Sequence, residues 1–279
     1  MSTDISPGSP ASSPRVSIIT ICKDAGTALA ETINSVLAQS YPNIEYLIID
    51  SASGADTRAV LATYKDRVDY LVSEPDRGIS HAFNKGIEQA NGTIIGLLNA
   101  GDTYLPDTVA QAAKALADAS AGFCYGDCLF TESSEYQFLM RGEADYLNRL
   151  AYRMPVFNHP TVFVKKAVYD QCGGFDEQYK TSMDYEILYR IIRAGHQGLY
   201  IPNTLAVMDR QGLSITNNRQ ALREVKAISL RYGLAAWKAW GYYAFGVFKE
   251  VVGQPIRRRF GTGLTRWYRR KFIRGYGDD

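Results

Sequence analysis

Short apolar runs return at regular intervals along residues 16–98, and this regularity constrains the fold more than any other feature of the chain. The runs predict strands over 16–22, 44–50, 68–73 and 93–98. The segments that follow them predict helices over 27–39, 57–66, 79–90 and 106–119. Strands and helices that alternate in this way are typical of an α/β fold with a mostly parallel, Rossmann-like sheet and helices on both faces.

An aspartate lies at or just beyond the end of each run. The four are Asp24, Asp50, Asp76 and Asp102, and successive members are 26 positions apart. A strand, a turn and a helix leading back to the next parallel strand need about that length. Neighbouring parallel strands end at one edge of the sheet, where open α/β sheets bind ligands. Four carboxylates there predict a site for a metal, sugar hydroxyls or a nucleobase, and not for bare phosphate.

Several enzyme classes are disfavoured by what the chain lacks. The first strand-to-helix turn, CKDAGT, has one glycine and neither G-x-G-x-x-G nor G-x-x-x-x-G-K-[ST], which argues against nicotinamide dehydrogenases and P-loop NTPases. No G-x-S-x-G nucleophile elbow is present either. The four cysteines show no paired-ligand spacing, so we expect reduced thiols in a cytoplasmic protein.

The pattern changes after residue 121 and predicts a mixed second half that supplies the other wall of a cleft. A hairpin is predicted over 122–130 and 135–141, and a further strand over 159–164. The run KKAVYDQCGG predicts a short helix that ends at two glycines. SMDYEILYRIIRAG predicts a longer helix with one apolar side and a glycine stop.

The two ends of the chain differ from the body. Residues 1–14 are rich in Ser and Pro and predict a disordered lead-in, not a signal peptide. Residues 220–248 predict helix, and the uncharged run AWGYYAFGVF is far shorter than the ~20 residues that span a bilayer. From Lys249 to Asp279, nine Lys or Arg residues face three acids, a net charge of +6, which leaves the rest of the chain at −4.

Basic and aromatic residues mixed in this tail predict that residues 239–276 contact an anionic membrane surface. Two alternatives remain open. The tail can be an ordinary C-terminal helical cap with a solvated basic end. It can also bind nucleic acid, but the acidic body argues against that partner.

Four ordered motifs resemble the nucleotide-binding half of family-2 glycosyltransferases of the GT-A fold. They are PRVSIITICKDAG, SVLAQSYPNIEYLIIDSASGADT, EPDRGISHAFNKGI and ANGTIIGLLNAGD, over about residues 15–102, with a looser match to about 215. The resemblance implies a glycosyltransferase domain over 15–218. Its nucleotide-binding half is 15–105, its acceptor and catalytic half is 106–218, and a helical, basic-aromatic extension covers 219–279.

The resemblance also implies donor-binding roles. Asp50 would accept a hydrogen bond from the base, an alternative being that it caps the turn. Thr20 and Asp24 would line the base and ribose. The loop over the nucleotide-sugar and the residues behind it would be Asp76, Arg77, Gly78, Asn84 and Lys85. Arg77 or Lys85 could pair with the diphosphate, although Lys85 could equally be a surface charge. Ser80 and His81 stand where many relatives have Tyr-Asp.

The metal motif of the family is reduced in this chain. Asn99, Ala100, Gly101 and Asp102 stand in place of D-x-D, so only Asp102 keeps a carboxylate, and Asn99 and Ala100 would contact the donor. One carboxylate can suffice for Mn²⁺ or Mg²⁺, because such an ion takes most other ligands from phosphate and water. His159 is a candidate further ligand or acceptor contact, the alternative being a structural histidine. Arg210, in RQGLS, would fold over the diphosphate.

Asp184 is the candidate catalytic base, since the family places an acid at the start of the helix after a G-G-F-D-E loop. Met183 replaces the first acid of the usual pair, and Asp184 could alternatively cap the helix. Asp176 and Glu177 are expected to order the loop.

The implied activity is metal-dependent, inverting transfer of one hexose from a nucleotide-sugar, UDP-linked by family habit. The acceptor would be a lipid-linked saccharide used in polysaccharide or cell-envelope assembly at the inner face of the membrane. No Q-x-x-R-W motif is present, which favours single transfers. A non-catalytic nucleotide-sugar-binding protein and a glycoside hydrolase remain alternatives.

Overall fold

The computed structural model describes residues 13–133, 136–151, 157–209, 218–251 and 276–277. The first half contains β1 (Val16–Cys22), α1 (Thr27–Leu37), β2 (Ile44–Asp50), α2 (Ala55–Tyr64), β3 (Tyr70–Ser73), α3 (Ile79–Gln89), β4 (Ile94–Asn99), β5 (Thr103–Tyr104) and α4 (Thr108–Ala115). The second half contains β6 (Ala121–Ser133), β7 (Tyr136–Met140), α5 (Leu147–Leu150), β8 (Phe163–Lys165), α6 (Lys166–Cys172), α7 (Met183–Arg193), β9 (Gln197–Asp209), α8 (Asn218–Arg231), a helix α9 over 236–251 and β10 (Tyr276–Gly277).

The predicted parallel sheet is confirmed, in the order β4-β1-β2-β3. Cys22 lies opposite Asp50, and Asp50 lies opposite Ser73, so the three strands end together at one edge. Side chains alternate between two buried clusters: Ile19 and Ile21 pack on one face, and Val16 and Ile18 on the other. Burial on both faces explains why these strands read as continuous apolar runs.

The second half completes a mixed sheet. β8 is antiparallel to β4 and to β6, and β7 is antiparallel to β6. The strand predicted over 159–164 is wrong in its first part, because His159–Thr161 form a 3-10 turn and the strand covers only Phe163–Lys165. Pro160 has no backbone N–H to donate to a ladder, which favours the turn.

Strand β9 was not predicted. It runs parallel to β6, and the register jumps from the Gly126–Ile201 pair to the Asp127–Thr204 pair. Pro202 and Asn203 therefore bulge out of the ladder. Their presence also hides the strand in the sequence, since both residue types usually mark turns.

Helices α8 and α9 form a hairpin against the body, with Gly233 in the left-handed region at the turn (φ 94°). Ile228 of α8 is fully buried in the core cluster that also holds α7. Among the described residues, no helix has both the length and the apolar character needed to cross a bilayer. The predicted lead-in lies largely outside the described residues, as do Arg210 and residues 252–275.

Candidate active site

The loops after β1 and β2 are tied together at the edge of the sheet. Asp24 Oδ1 accepts a hydrogen bond from the Gly54 N–H at 2.8 Å, and the Asp24 N–H donates to Ser53 Oγ at 2.8 Å. Asp24 and Ala52 both adopt left-handed backbone (φ 49°), which non-glycine residues rarely do. Strained backbone of this kind persists only where surrounding contacts hold it, and it is common at functional sites. The two loops at this edge of the sheet are therefore held in a fixed conformation.

Asp50 lies at the end of β2 and is fully buried. Its carboxylate accepts hydrogen bonds from the Ser53 N–H (3.1 Å), the Ser53 hydroxyl, Ser73 Oγ (2.5 Å) and Cys22 Sγ (3.4 Å). Burial alone would raise the pKa of Asp50, but the bonds from Ser53 and Ser73 lower it below its ordinary value. The carboxylate is thus ionised and organises both loops, and a base could reach it only by displacing one of these donors.

Thr20 lies inside the sheet and not at its open edge. Its side chain is fully buried, and its hydroxyl pairs with the Tyr46 hydroxyl at 3.0 Å. The predicted contact with base or ribose would therefore need the core to rearrange.

The loop over 74–78 is fixed at both ends. Asp76 Oδ1 accepts the Gly78 N–H at 2.8 Å. Lys85 Nζ binds Glu74 at 2.8 Å and the Pro75 carbonyl at 3.1 Å. Lys85 therefore holds the loop through Glu74 and Pro75, and its predicted contact with the diphosphate stays a prediction.

Two sets of hydrogen bonds join this loop and the helix after it to the second half of the chain. Arg77 donates to both carboxylate oxygens of Glu177 (2.9 and 2.8 Å), which raises the pKa of the guanidinium above its ordinary value. Asn84 exchanges two hydrogen bonds with the Phe175 backbone, at 2.9 and 2.7 Å. Glu177, which was expected to order its own loop, is thus the carboxylate partner of Arg77.

Asp102 lies on the turn after β4 and is 4% exposed. Thr32 fixes this turn, because its hydroxyl donates to the Asp102 carbonyl (2.8 Å) and accepts the Gly101 N–H (2.9 Å). The Ala100 N–H bonds the Ile21 carbonyl at 3.0 Å, and Asn99 Nδ2 lies 3.4 Å from the Asp102 carboxylate. The reduced motif thus presents a single carboxylate on a rigid turn.

His159 and Asp184, both in the second half of the chain, form a pair that lies beside Phe83 and Leu97 of the first half. His159 Nδ1 lies 3.1 Å from Asp184 Oδ1. Burial lowers the pKa of His159, but the charge of Asp184 and, more weakly, that of Asp102 outweigh it and raise the pKa above its ordinary value. The other ring nitrogen, Nε2, is buried with no hydrogen-bond partner among the described residues. Most buried polar atoms in folded proteins do have a partner, so this ring belongs to a site.

Apolar side chains line a small cavity beside this pair, including those of Leu97, Phe175 and Ile187. The low local dielectric there strengthens the interaction between imidazole and carboxylate. Asp184 sits in the first turn of α7, and its side chain is 22% exposed. Asp184 Oδ1, which faces His159, makes no hydrogen bond with the described residues. A partly exposed carboxylate beside a largely buried histidine can take a proton from a bound hydroxyl.

Glu186, two residues further on, has a different environment. It is fully buried, pairs with Arg190 at 2.7 Å and accepts the Tyr232 hydroxyl at 2.7 Å. Its carboxylate is therefore used internally, which leaves Asp184 as the acid of α7 that borders the cleft.

A protein-only metal cage is absent from the part of the chain that the structure describes, where no three His, Cys, Asp or Glu side chains cluster closely enough. The donor set fits only an ion that takes most ligands from a diphosphate and water, with Asp102 as the protein ligand. His159 Nδ1 faces Asp184, so only Nε2, which has no partner among the described residues, could serve in the predicted role as a metal ligand.

Residues that the motifs did not reveal complete the site. Ser53 links Asp24 to Asp50 through one hydroxyl. Glu224, on α8, binds the segment that leads into α7. The sequence signal for Ser53 is its place in the run IIDSAS, in the turn that follows Asp50 and its strand. No sequence signal indicates the contact of Glu224.

A parallel α/β sheet with acids at its carboxyl edge, extended by antiparallel strands and by the helix that carries Asp184, is the architecture of the GT-A fold. Residues 17–173, more than half of the chain, match the model of the family described as glycosyl transferase family 2. The chain belongs to this family.

Relatives in sequence are also glycosyltransferases by their descriptions. An uncharacterized glycosyltransferase of Mycobacterium tuberculosis (strain ATCC 25618 / H37Rv) is 32% identical over 187 residues, which cover 64% of this chain and 69% of the relative. A Bacillus subtilis (strain 168) protein, provisionally assigned to teichuronic acid biosynthesis, is 30% identical over 115 residues, 40% of this chain and 46% of that protein.

Two solved structures share the fold. A mannosyltransferase from Pyrobaculum calidifontis in complex with GDP-Man and Mn²⁺ has a TM-score of 0.63 at 21% identity, covering 92% of this chain and 79% of that one. Residues 1–349 of S. aureus TarS in complex with UDP-GlcNAc give 0.61 at 16% identity, covering 84% and 71%.

Proposed function

We propose that this protein transfers one hexose from a nucleotide-sugar to an acceptor hydroxyl with inversion, with Asp184 as the catalytic base. The observation that carries the proposal is the His159–Asp184 pair at 3.1 Å, which lines a small cavity together with Leu97 of β4. The Asp184 carboxylate takes the hydroxyl proton as the acceptor oxygen bonds to the anomeric carbon. The bond from that carbon to the diphosphate oxygen breaks, and its electron pair leaves with the nucleoside diphosphate.

The donor half of this site is the edge that Asp24, Asp50, Asp76 and Asp102 border. We place the nucleotide over the tied loops after β1 and β2, and the sugar beside the loop over 74–78. A UDP-linked hexose is the proposed donor, in line with the UDP-GlcNAc held by one structural neighbour. A divalent ion, Mn²⁺ or Mg²⁺, held by Asp102 would offset the charge of the leaving diphosphate.

A panel of nucleotide-sugars with Mn²⁺ tests this proposal, because a ligand that binds only the folded state raises the melting temperature. We expect one UDP-hexose to raise it by several degrees and to release nucleoside diphosphate slowly into water. A higher melting temperature without any release of nucleoside diphosphate, with or without added acceptors, would instead favour a non-catalytic binding protein.

The acceptor is proposed to be carried on a lipid, at the inner face of the cell membrane. Helix α9 supports this, since large apolar side chains stand exposed along it: Trp237, Trp240, Phe245, Phe248 and Val251. At 100° per residue they fall within one half of the helix surface, the aromatic stripe. Such a stripe can lie among lipid headgroups, and flanking lysines would favour anionic ones.

Lysines do flank the stripe. Lys226 Nζ lies 3.5 Å from the centre of the Trp240 ring, Lys238 lies 5.3 Å from Trp237, and Lys249 lies 5.7 Å from Phe245. This charge favours an anionic bilayer over a second copy of the chain as the surface that covers the stripe.

Replacing Trp237, Trp240, Phe245 and Phe248 together with serine is expected to weaken binding to vesicles that contain phosphatidylglycerol by at least about tenfold, since each buried ring contributes on the order of 1.5–3 kcal/mol. Cosedimentation measures this, with Leu147→Ser as the control because Leu147 is also exposed (64%) but lies on α5. Unchanged vesicle binding, accompanied by a lower mass in light scattering, would show that the stripe joins two copies instead.

A further inference from the structure

Three consecutive peptide N–H groups just before α7 donate to a single carboxylate. The N–H groups of Lys180, Thr181 and Ser182 lie 3.1, 2.9 and 2.8 Å from the carboxylate oxygens of Glu224 on α8. The Thr181 hydroxyl (2.8 Å) and Gln220 Nε2 (2.9 Å) donate to the same group. Burial opposes ionisation of Glu224, but these bonds lower its pKa below the ordinary value.

This carboxylate holds the segment that leads into α7 and, through the Ser182 N–H, the N-cap residue itself. Ser182 is the N-cap of α7, yet its side chain makes no capping bond to the helix. The N-terminal segment of a helix has N–H groups without intrahelical partners, and a nearby side chain normally binds some of them. Glu224 binds one of these groups, the Ser182 N–H, from a helix more than 40 residues further along the chain, so tertiary packing helps to fix the start of α7.

The consequence concerns Asp184, which follows Ser182 by two residues. α8 holds the start of α7 at further points: Ser229 Oγ lies 3.4 Å from the Tyr185 hydroxyl, and the Tyr232 hydroxyl, just after α8, donates to Glu186 at 2.7 Å. The first turn of α7, which carries Asp184, is therefore oriented by residues of α8 and its C-terminal end.

The opposite side of α8 carries α9. A Cβ at Gly246 would lie 2.6 Å from Leu222 Cδ2, so the two helices approach as closely as glycine allows. Lys226 of α8 packs over Trp240 of α9. Five residues further along α8, Arg231 donates a hydrogen bond to Asp176. Residues 219–251 thus connect the aromatic stripe to the catalytic helix.

We infer that Glu224 is a positioning residue for Asp184: it fixes the segment over 180–182 and so holds the base at the reacting hydroxyl. This inference rests on the proposed role of Asp184. Glu224 itself makes no described bond to the edge of the sheet or to the loop over 74–78. The link to that loop is indirect, through Lys180, whose Nζ donates to the Arg77 carbonyl at 3.3 Å. Glu224 should therefore act mainly on turnover and much less on donor affinity.

The test compares Glu224→Gln and Glu224→Ala with Arg223→Ala, an exposed neighbour on the same helix. The donor is the UDP-hexose that stabilises the wild type, and release of UDP gives kcat and KM. We expect kcat to fall about 100-fold in Glu224→Ala, since a shift of about 1 Å in a catalytic group has that effect. Glu224→Gln, which keeps one acceptor oxygen, should lose about tenfold, while KM and the donor Kd stay within about twofold.

Amide hydrogen exchange over 180–186 is the second readout and needs no substrate. It should become faster in both Glu224 variants and stay unchanged in Arg223→Ala. Unchanged kcat in a folded Glu224→Gln or Glu224→Ala protein, or a loss of donor affinity as large as the loss of kcat, overturns the inference. If the wild type itself releases no UDP, the proposed function fails; slow exchange in the variants would then refute the positioning role separately.

Discussion

Asp184→Asn is expected to reduce turnover about 10³-fold while donor binding stays within about twofold. Asparagine keeps the size of the side chain but cannot accept the hydroxyl proton, and a general base contributes roughly 10²- to 10⁴-fold. Because the donor half of the site lies across the cleft, the melting-temperature rise caused by the nucleotide-sugar should persist. Steady-state release of nucleoside diphosphate and the thermal shift measure the two effects on the same sample.

Asp170→Asn is the matched control. Asp170 is an exposed acid on α6 whose side chain is 62% exposed and pairs with Lys166 at 3.2 Å. This variant should turn over like the wild type. Turnover retained in Asp184→Asn would show that another group takes the proton.

Asp102→Asn is expected to lower turnover about 10²- to 10³-fold and to raise the concentration of Mn²⁺ needed for half-maximal rate. A metal contributes several kcal/mol to stabilisation of developing charge, and each 1.4 kcal/mol is tenfold in rate. The amide oxygen that replaces the carboxylate is a weaker, uncharged ligand. Removal of divalent ions with a chelator should abolish turnover of the wild type, and Mn²⁺ or Mg²⁺ should restore it.

Asp107→Asn is the control for Asp102, since Asp107 is exposed, lies five residues further on and accepts the Ser40 hydroxyl at 2.7 Å. It should keep both the rate and the metal response of the wild type. Full activity of the wild type in chelator would contradict the metal requirement, whatever the effect of Asp102→Asn.

The parallel half of the fold was predictable because burial on both faces leaves its strands as continuous apolar runs. The register that sets Cys22, Asp50 and Ser73 side by side follows from that pattern. The strand β9 was not predictable, because Pro202 and Asn203 interrupt it and only the irregular pairing with β6 absorbs them.

The sequence predicts the positions of residues at strand ends and helix starts. It does not predict contacts that long-range packing makes between distant segments. Asp184 and Asp102 could be placed from motifs. The contact of His159 with Asp184 joins two segments 25 residues apart, and that of Glu224 with 180–182 joins segments more than 40 apart. Thr20 could have been placed in the core from the sequence, because the strand period of two puts it on the same face as Ile18 and Cys22.

Proton NMR of the sugar formed from the stabilising UDP-hexose tests the central claim most directly. The account predicts that UDP is released and that the new sugar, bonded to water or to an added acceptor, appears first as the anomer opposite to that of the donor. This product should be absent with Asp184→Asn. A product with the anomeric configuration of the donor, or hydrolysis of a glycoside that carries no nucleotide, would contradict the account.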